Sequence, residues 1–459
     1  MQVVGETDSL CPVCLRKIPA KKVAEEDNIY LEKSCPEHGD FKILIWRGVD
    51  SYNDRYRFDV QRTPPKKFLV DSEKGCPYDC GPCPEHRQHV CIVVLEVTNN
   101  CNLSCPVCFA KSNENYNYEP DLDVIREMFK TTVDYVEKPI NIQISGGEPT
   151  IRDDLRDIIA LGKEMGVDYI ELNTNGVRLA KDIEYFRELK ECGIDALYLS
   201  FDGLTDEVYR KINGADLLDF KLKAIQNSAD LEVGVVLVPM IIPNVNDDQI
   251  GGIIQFAKKW IPTVVGVHFQ PVSYFGRFPC TPKDEDRMTI PDILKAIEVQ
   301  TEGELKVKNF TPTSCPNVHC DSRNYSILME NGKLLPITSS SRPISADVQD
   351  KDVARKTRKA LRDLWKYPEA EESAGRACKC APGSWAELLE RAGTHYLTVS
   401  TMAFQDVWTM ELERVLDCCI YEVTPDNRLI PFCLFNASSL DGETLYRHRI
   451  LSKFATPSP

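Results

Sequence analysis

The chain has 459 residues, a length that predicts two to four folded units rather than one ordinary domain. Hydrophobic residues make up 42% of the sequence and charged residues 27%, which is typical of globular proteins and excludes a disordered or fibrous chain. The net charge of −15, from 55 Lys and Arg against 70 Asp and Glu, argues against a nucleic-acid-binding protein, because phosphate binding needs a positive face.

Residues 1–60 are predicted to form a small metal-binding domain. The motif CPVC contains Cys11 and Cys14, and the motif CPEHG contains Cys35 and His38. This spacing is typical of a zinc-ribbon or rubredoxin-like knuckle, in which His38 or a further cysteine would be the fourth ligand. Tetrahedral sulfur sites accept zinc or a single iron, and the sequence does not choose between them.

Residues 61–91 form a second cysteine-rich segment. Its predicted metal ligands are Cys76, Cys80, Cys83 and Cys91. Four thiolates would close an iron–sulfur cluster completely, and a closed cluster transfers electrons. The alternative is zinc held by the same cysteines, or by some of them with His86 or His89.

Residues 92–280 alternate apolar strand-like runs with helical stretches. The predicted strands are 92–97, 141–145, 169–173, 196–201, 233–240 and 264–272, and the predicted helices lie near 121–137, 153–165, 181–191, 217–227 and 247–259. This alternation indicates βαβ units with right-handed crossovers. The predicted fold class is therefore α/β, with a partial six-stranded TIM-like barrel that carries cysteine-rich extensions at both ends.

Three cysteines begin four residues after the first of these strands, in the run EVTNNCNLSCPVCFA. They are Cys101, Cys105 and Cys108. Three thiolates on a short loop suit three irons of a 4Fe–4S cube, because soft sulfur ligands favour iron–sulfur clusters. The fourth iron would stay open to a small chelating molecule. The alternative for this loop taken alone is a structural zinc site.

A second motif, ISGGEPT at 144–150, overlaps the end of the second strand. Gly146 and Gly147 are expected to let a ligand approach the backbone, and Glu148 presents a carboxylate for an ammonium group. Further polar residues lie at the carboxyl ends of the third and fourth strands, the edge where α/β barrels keep their sites. They are Asn173, Asn175, Ser200 and Asp202, and Phe275-Gly276-Arg277 follows the sixth strand.

Residues 281–459 are predicted to form an auxiliary cluster and substrate domain. Two strand–turn–strand passages, 326–338 and 420–433, echo each other. The predicted ligands of the C-terminal cluster are Cys315, Cys320, Cys419 and Cys433, with Cys418 as the rival of Cys419. Cys378 and Cys380 are interpreted either as a flexible thiol pair or as core cysteines.

Two segments of this region bear on a lipid substrate. Residues 351–366 contain seven basic and two acidic side chains, and they are interpreted as a helix that packs on its own domain or lies at a lipid surface. The run AFQDVW supplies Phe404, Val407 and Trp408, which belong either to an ordinary core or to the wall of an apolar tunnel.

Together, the three-cysteine loop, the GGE motif and the six-strand pattern resemble the radical S-adenosylmethionine superfamily over residues 92–280. The resemblance implies that Cys101, Cys105 and Cys108 hold the catalytic cluster and that S-adenosylmethionine chelates its fourth iron. Glu148 would bind the methionine ammonium, and Ser200, Asp202 or Asn175 the ribose and carboxylate. Val107 occupies a position that is often aromatic, with Phe109 two residues later, which puts the usual adenine contact in doubt.

A narrower resemblance, which includes CPVC, CPEHG, GCPYDCGPCPEH and the late AFQDVWTMELERVLDCCIYEVTPDNRLIPFC, extends over nearly the whole chain. It is to the multi-cluster group that contains archaeal tetraether lipid synthase and methanopterin-type radical methylases. It implies S-adenosylmethionine, one catalytic and two auxiliary 4Fe–4S clusters, and one mononuclear iron or zinc. It also implies a low-potential electron donor such as ferredoxin or flavodoxin.

Three functions follow as hypotheses. The first is C–C coupling of isoprenoid lipid chains, with an auxiliary cluster that holds the first alkyl radical. The alternative is radical methylation of a pterin or other small molecule with a one-carbon unit, and the third is a non-enzymatic iron–sulfur electron carrier. Without a predicted membrane span or signal sequence, the expected location is the cytoplasm of an anaerobe, with peripheral contact at the inner membrane face as a further expectation.

Overall fold

The computed structural model describes residues 1–58, 61–113, 116–279, 281–340, 352–368, 388 and 391–457. Cys280, Cys378 and Cys380 lie outside the described residues, so the interpretation of the 378/380 pair is not addressed by the structure.

The N-terminal residues form a four-stranded antiparallel sheet with the order β1-β2-β3-β4. Its elements are β1 (Gln2–Leu10), β2 (Lys17–Glu25), β3 (Asn28–Cys35), β4 (Gly39–Arg47) and the helix α1 (Val49–Asp54). The alternation of β2 and β3 turns Lys22 and Lys33 inward. There, Lys33 Nζ donates to the carbonyl of Val407 at 2.8 Å, and Lys22 pairs with Glu411 at 3.2 Å. These buried polar contacts attach the small sheet to the C-terminal region.

The six predicted strands are all present and parallel, in the spatial order of the sequence. They are β5 (Ile92–Glu96), β7 (Asn141–Ser145), β8 (Tyr169–Thr174), β9 (Ala196–Ser200), β10 (Gly234–Val238) and β12 (Val264–Pro271). The helices between them are α2 (Leu122–Tyr135), α3 (Leu155–Glu164), α4 (Val177–Lys181), α5 (Ile183–Cys192), α6 (Asp206–Asn213), α7 (Leu218–Asp230) and α8 (Ile250–Lys258). Two short strands are β6 (Tyr116–Asn117) and β11 (Met240–Ile241). The α/β prediction is confirmed.

The C-terminal region extends this sheet at both edges. Its elements are α9 (Ile290–Gln300), β13 (Asp321–Leu328), β14 (Leu334–Pro336), α10 (Val353–Trp365), β15 (Tyr396–Met402), α11 (Leu412–Leu416), β16 (Ile420–Val423), β17 (Leu429–Pro431), α12 (Phe432–Asn436), α13 (Arg447–Leu451) and β18 (Thr456–Pro457). The strand β15 pairs in parallel with β12, and β16 pairs in parallel with β5. The two predicted hairpins, β13/β14 and β16/β17, end the sheet on either side. The sheet is therefore open rather than closed into a barrel. The sequence analysis did not predict the parallel strand β15.

The two faces of the central sheet differ in polarity. The helices cover one face, where the largest core cluster joins strand residues such as Ile142 and Leu172 to helix residues such as Phe129 and Ile158. The opposite face, called the polar face below, carries Gln143, Glu171, Asn173, Tyr198, His268 and Gln270. Strand side chains alternate between the two faces of a sheet, so the polar residues occupy every second position along these strands.

The basic helix α10 packs on its own chain. Trp365 lies 5.9 Å from the ring of Tyr198 and 6.4 Å from that of His268, and Asn141 Nδ2 donates to the Arg358 carbonyl at 3.0 Å. This favours the interpretation of 351–366 as a helix of its own domain, while contact with a lipid surface stays a prediction.

Val407 and Trp408 lie in a packed cluster with the aromatic residues Tyr274 and Phe278, so ordinary core is the better interpretation of these two residues. Over the residues that the structure describes, no helix combines the length and apolarity needed to cross a bilayer.

Candidate active site

The three-cysteine loop lies directly beyond the carboxyl end of β5 and is held by the segment after β12. Cys108 exchanges two backbone hydrogen bonds with Arg277, at 2.9 and 3.0 Å, and Arg277 Nε donates to the Cys105 carbonyl at 3.0 Å. Gly276 allows this approach, since a Cβ there would come within 2.5 Å of the Phe109 carbonyl oxygen. The Phe275-Gly276-Arg277 segment therefore shapes the loop through its backbone.

The sulfur atoms of the loop receive hydrogen bonds as ligand sulfurs do. Cys101 Sγ accepts from the Leu103 amide at 3.4 Å, and Cys105 Sγ accepts from Asn213 Nδ2 at 3.5 Å. Burial raises the pKa of Cys101 to about 12 and also raises the pKa of Cys105. Both thiols are thus protonated at neutral pH without a metal, and metal binding would release their protons.

The GGE motif packs against the same loop. Gly147 N donates to the Thr98 carbonyl at 2.8 Å, and Glu148 N donates to the Asn100 carbonyl at 2.9 Å. A Cβ on Gly146 would lie 2.2 Å from the Thr98 carbonyl oxygen, and one on Gly147 would lie 2.1 Å from that of Asn100. The absence of a Cβ at both glycines therefore admits the backbone of the cysteine loop, while the approach of a ligand to these glycines stays a prediction.

The Glu148 carboxylate is buried and already holds four donors. Oε1 accepts from the Thr150 amide and hydroxyl at 3.1 and 2.6 Å and from Thr174 Oγ1 at 2.7 Å, while Oε2 accepts from the Asn175 amide at 2.6 Å. These bonds fix its orientation beside the loop. Its role towards an ammonium group remains a prediction.

Asn175 and Ser200 meet at a buried lysine that the sequence analysis missed. Lys221, on α7, donates to the Asn175 carbonyl at 2.7 Å and to Ser200 Oγ at 3.1 Å. Burial lowers its pKa to about 8, while the charges of Asp202 and Glu148 oppose that shift. The only signal in the sequence was a charged residue on the inward side of a predicted helix.

Asp202 is buried, and its contact with a ribose stays a prediction. Oδ1 accepts from the Met240 amide at 3.0 Å, and the carboxyl also bonds Asn213, which in turn bonds Cys105. Burial raises the pKa of Asp202. The structure therefore connects this carboxyl to a cysteine of the loop through one asparagine.

Four residues converge at the tip of the N-terminal sheet. The ligand atoms of Cys11, Cys14, Cys35 and His38 all lie within 4.8 Å of one another. His38 Nδ1 is 3.4 Å from Cys35 Sγ and 3.6 Å from Cys11 Sγ. A tetrahedral metal with bonds of about 2.3 Å holds its sulfurs about 3.8 Å apart, so this group suits a single ion. Cys101, Cys105 and Cys108 do not converge so tightly among the described residues, which suits a larger cluster.

The remaining cysteines are grouped differently from the sequence prediction. Cys91 lies away from the Cys76–Cys83 segment, beside Cys315 and Cys419 in one buried cluster. The sulfur atoms of Cys91 and Cys315 are bonded as a disulfide, although their Cα atoms are 7.5 Å apart, wider than the usual span of such a bond. Together with His89, the same two residues form a group that could hold a metal ion. The side chains of Cys76 and Cys80 are hydrogen-bonded to each other, and Cys83 lies close to Cys80. A closed set of Cys76, Cys80, Cys83 and Cys91 was therefore the wrong grouping.

His89 joins the Cys91 group by its orientation. Two backbone amides, of Thr63 and His89, donate to Gln88 Oε1 at 3.2 and 3.1 Å, so this atom is an acceptor and His89 Nδ1, at 2.8 Å, must donate to it. The bare Nε2 then faces Cys91 Sγ at 3.4 Å and Cys315 Sγ at 3.7 Å. Burial lowers the pKa of His89 to about 3, so the ring is neutral and able to bind a metal.

The third group contains Cys320, Cys418 and Cys433. Cys418 and Cys320 both lie near enough to Cys433 to interact with its charge, and Arg414 Nη2 donates to Cys320 Sγ at 3.2 Å. Cys418 also lies near enough to Cys80, and Cys419 near enough to Cys320, to interact with their charges, so the choice between Cys418 and Cys419 as a cluster ligand stays a prediction.

An aromatic cluster lies between this third group and the loop of Cys101, Cys105 and Cys108, which is called the catalytic loop below for its predicted role. Phe432, the neighbour of Cys433, lies 6.0 Å from Phe109, 6.4 Å from Phe275 and 4.8 Å from Phe404. Phe109 directly follows Cys108, so one layer of rings connects the two cysteine groups. Phe109, Phe404 and Phe432 are only partly buried. Part of each ring surface is therefore open to a ligand.

Comparison with known proteins agrees with this site. A family model described as the Radical SAM superfamily matches residues 95–257, and one described as the HMPTM N-terminal zinc ribbon domain matches residues 3–47. The 7,8-dihydro-6-hydroxymethylpterin dimethyltransferase of Methanocaldococcus jannaschii is 36% identical over 98% of this chain and 96% of its own length. The chain belongs to the radical S-adenosylmethionine superfamily. It is accordingly an enzyme of that superfamily, whose members use S-adenosylmethionine and a 4Fe–4S cluster.

More distant similarity is confined to part of the chain. A probable GTP 3',8-cyclase of Pyrococcus abyssi is 33% identical over 36% of this chain and 52% of its own length. Among solved structures, native anSMEcpe with bound AdoMet and Cp18Cys peptide is 17% identical with a TM-score of 0.38, covering 46% of this chain and 58% of that one.

Proposed function

We propose that this protein is a radical S-adenosylmethionine methyltransferase that acts on a reduced pterin. The observation that carries the proposal is the 36% identity to the pterin dimethyltransferase of M. jannaschii along nearly the whole of both chains. Lipid-chain coupling, the first hypothesis from the sequence, has less support, and tetraether lipid chemistry is not proposed further.

The polar face of the sheet supports a small heterocyclic substrate. Glu171 accepts from Gln143 Nε2 and from the Tyr169 hydroxyl, and Gln270 Nε2 donates to the Tyr198 hydroxyl at 3.1 Å. Gln143 and Gln270 are half-buried, whereas Glu171 is buried. Burial raises the pKa of Glu171 to about 7. Convergent amide and carboxyl groups of this kind complement the donors and acceptors of a pterin edge.

The aromatic cluster supports the same substrate. A flat pterin ring stacks favourably on the faces of Phe404 and Phe432, a gain of about 1 kcal/mol beyond simple burial. These rings lie between the catalytic loop and the Cys320, Cys418 and Cys433 group. A substrate there would be in reach of both.

The bound cofactors would supply a 5'-deoxyadenosyl radical able to remove hydrogen from an sp3 carbon. Cys101, Cys105 and Cys108 would hold the catalytic cluster, and Lys221, Glu148 and Asp202 are buried ionisable groups near it. A saturated C–H bond offers no acidic proton to His or Glu, so the side chains of this protein would not catalyse its cleavage as acids or bases. Their contribution would be to exclude water and to hold the substrate against this loop.

Anaerobic incubation with S-adenosylmethionine, a reductant and a one-carbon donor of the reduced-pterin class tests the function. With 7,8-dihydro-6-hydroxymethylpterin, mass spectrometry should detect 5'-deoxyadenosine and a pterin heavier by whole methyl groups, and deuterium on the pterin methylene should appear in 5'-deoxyadenosine. Isoprenoid diether lipid serves as the competing substrate. Coupled lipid with unmodified pterin would overturn the proposal.

A further inference from the structure

A basic groove lies beside the Cys76, Cys80 and Cys83 segment. It has a volume of about 320 Å³ and is lined by Lys74, Tyr78, Arg428, Leu445, Tyr446, Arg449, Ile450 and Lys453. Four of these eight residues are cationic in a chain whose net charge is −15. A local positive surface on an acidic protein selects acidic partners and orients their approach.

Most of the positive charge is free to act on a partner. Arg428 pairs with Asp426 at 2.7 Å, but within the described part of the chain Lys74, Arg449 and Lys453 form no ion pair with an acidic side chain. All three are exposed. Asp79, an acid of the same segment, accepts from the Lys74 backbone amide rather than from its ammonium group. The groove therefore has three uncompensated cations at its rim.

A single tyrosine separates the groove from the cysteines. The Tyr446 hydroxyl accepts from the Cys80 amide at 3.1 Å and donates to the carbonyls of Pro77 and Tyr78, at 2.6 and 2.7 Å. Tyr78 is 40% exposed at the rim, and exposed tyrosine is typical of protein interfaces. A partner seated in the groove would lie one side chain from Cys80.

We propose that this groove docks an acidic single-electron carrier, of the ferredoxin or flavodoxin class, that reduces the metal centre held by Cys76, Cys80 and Cys83. In each encounter the reduced carrier would lose one electron and the metal centre would gain it, with no bond made or broken. The groove and the cysteines then form the entry point for electrons, on a different segment from the catalytic loop.

The test compares two charge reversals in the reconstituted full-length enzyme. The groove variant is Lys74→Glu, Arg449→Glu and Lys453→Glu, and the control is Lys223→Glu, Lys295→Glu and Lys308→Glu, which are exposed lysines far from the groove in sequence. Titration calorimetry with an acidic two-cluster bacterial ferredoxin should show at least tenfold weaker binding for the groove variant only. Binding by the wild type should also weaken as salt rises, because salt screens exposed charges.

A kinetic measurement separates docking from structural damage. Release of 5'-deoxyadenosine, without any pterin present, should fall at least tenfold for the groove variant when reduced ferredoxin is the donor, and stay unchanged with dithionite. Equal ferredoxin binding by both variants would overturn the proposal. So would a groove variant that loses only its binding to phosphatidylglycerol vesicles, since the groove would then serve a membrane surface.

Discussion

At the residue scale, single buried side chains set the electrostatics of the cysteine groups. Lys221 places a cation near Cys101 and Cys105, and Arg414 places another beside Cys320. The reduction potential of an iron–sulfur cluster depends on nearby charge and on hydrogen bonds to its sulfurs. These two cations are therefore the side chains most able to tune the clusters that the family implies.

Replacing Lys221 with methionine should lower the midpoint potential of the catalytic cluster by roughly 50 mV, since a unit charge at this range contributes about 1 kcal/mol. An EPR-monitored redox titration measures it, with Lys223→Met on the same helix as the control. Because burial lowers the pKa of Lys221 to about 8, the difference from wild type should shrink as the pH rises above 8. Equal potentials in wild type and Lys221→Met would contradict this role.

Replacing His89 with alanine should weaken metal binding at one centre, because the unprotonated Nε2 of His89 faces two cysteine sulfurs. Metal analysis after anaerobic reconstitution should give at least tenfold weaker retention at this centre. His86 is the matched control, a buried histidine of the same segment that bonds the Cys418 carbonyl instead. Full metal content in His89→Ala would remove His89 from the ligand set.

At the element scale, the catalytic loop is shaped by backbone contacts from two other connections. The turn after β7 lies against Thr98 and Asn100, and the segment after β12 lies against Cys105 and Cys108. Parallel strands bring these three connections to the same edge of the sheet. Gly146 and Gly147 are needed because the backbone of the turn after β7 contacts the backbone of the cysteine loop at these two residues.

Gly147→Ala should displace the loop, since the new Cβ would meet the Asn100 carbonyl oxygen at 2.1 Å. Overpacking of this kind costs about 1–3 kcal/mol, and we expect 5'-deoxyadenosine release to fall at least tenfold. Gly393→Ala is the control, because no atom lies within 4 Å of its added Cβ. Full activity in Gly147→Ala would mean that the loop adjusts without loss.

At the scale of the whole molecule, the C-terminal region completes the sheet and brings a cysteine group to the catalytic edge. The strands β15 and β16 add to opposite edges of the six-stranded core. Segments distant in sequence then contribute Cys320, Cys418 and Cys433 to one place, behind Phe432. Cys433 thus follows directly on a residue whose ring lies 6.0 Å from that of Phe109, the neighbour of Cys108.

Cys433→Ser should uncouple the cleavage of S-adenosylmethionine from the methylation of the pterin. Release of 5'-deoxyadenosine should persist, because the catalytic loop is untouched, while methylated pterin should fall at least tenfold. Mass spectrometry of both products gives the ratio, and Cys192→Ser, on α5, is the control. Normal product from the Cys433 variant would exclude this group from the chemistry.

Local pattern was enough to predict much of this protein. Apolar runs that alternate with helical stretches predicted six parallel strands within one or two residues, and the Asn-Gly and Asp-Asn turns predicted both hairpins. The spacing of Cys101, Cys105 and Cys108 indicated the candidate cluster loop. Each of these signals is carried by neighbouring residues, whose geometry is fixed by the backbone itself.

Only the tertiary structure decided which distant residues share a site. His89, Cys91, Cys315 and Cys419 come from three separate segments, and Lys221 reaches the catalytic edge from the buried side of a helix. The strand pairings that carry Cys91 and Cys419 to one place are contacts between residues more than 300 positions apart. Spacing along the chain constrains only local neighbours, so the sequence could propose metal ligands but not their partners.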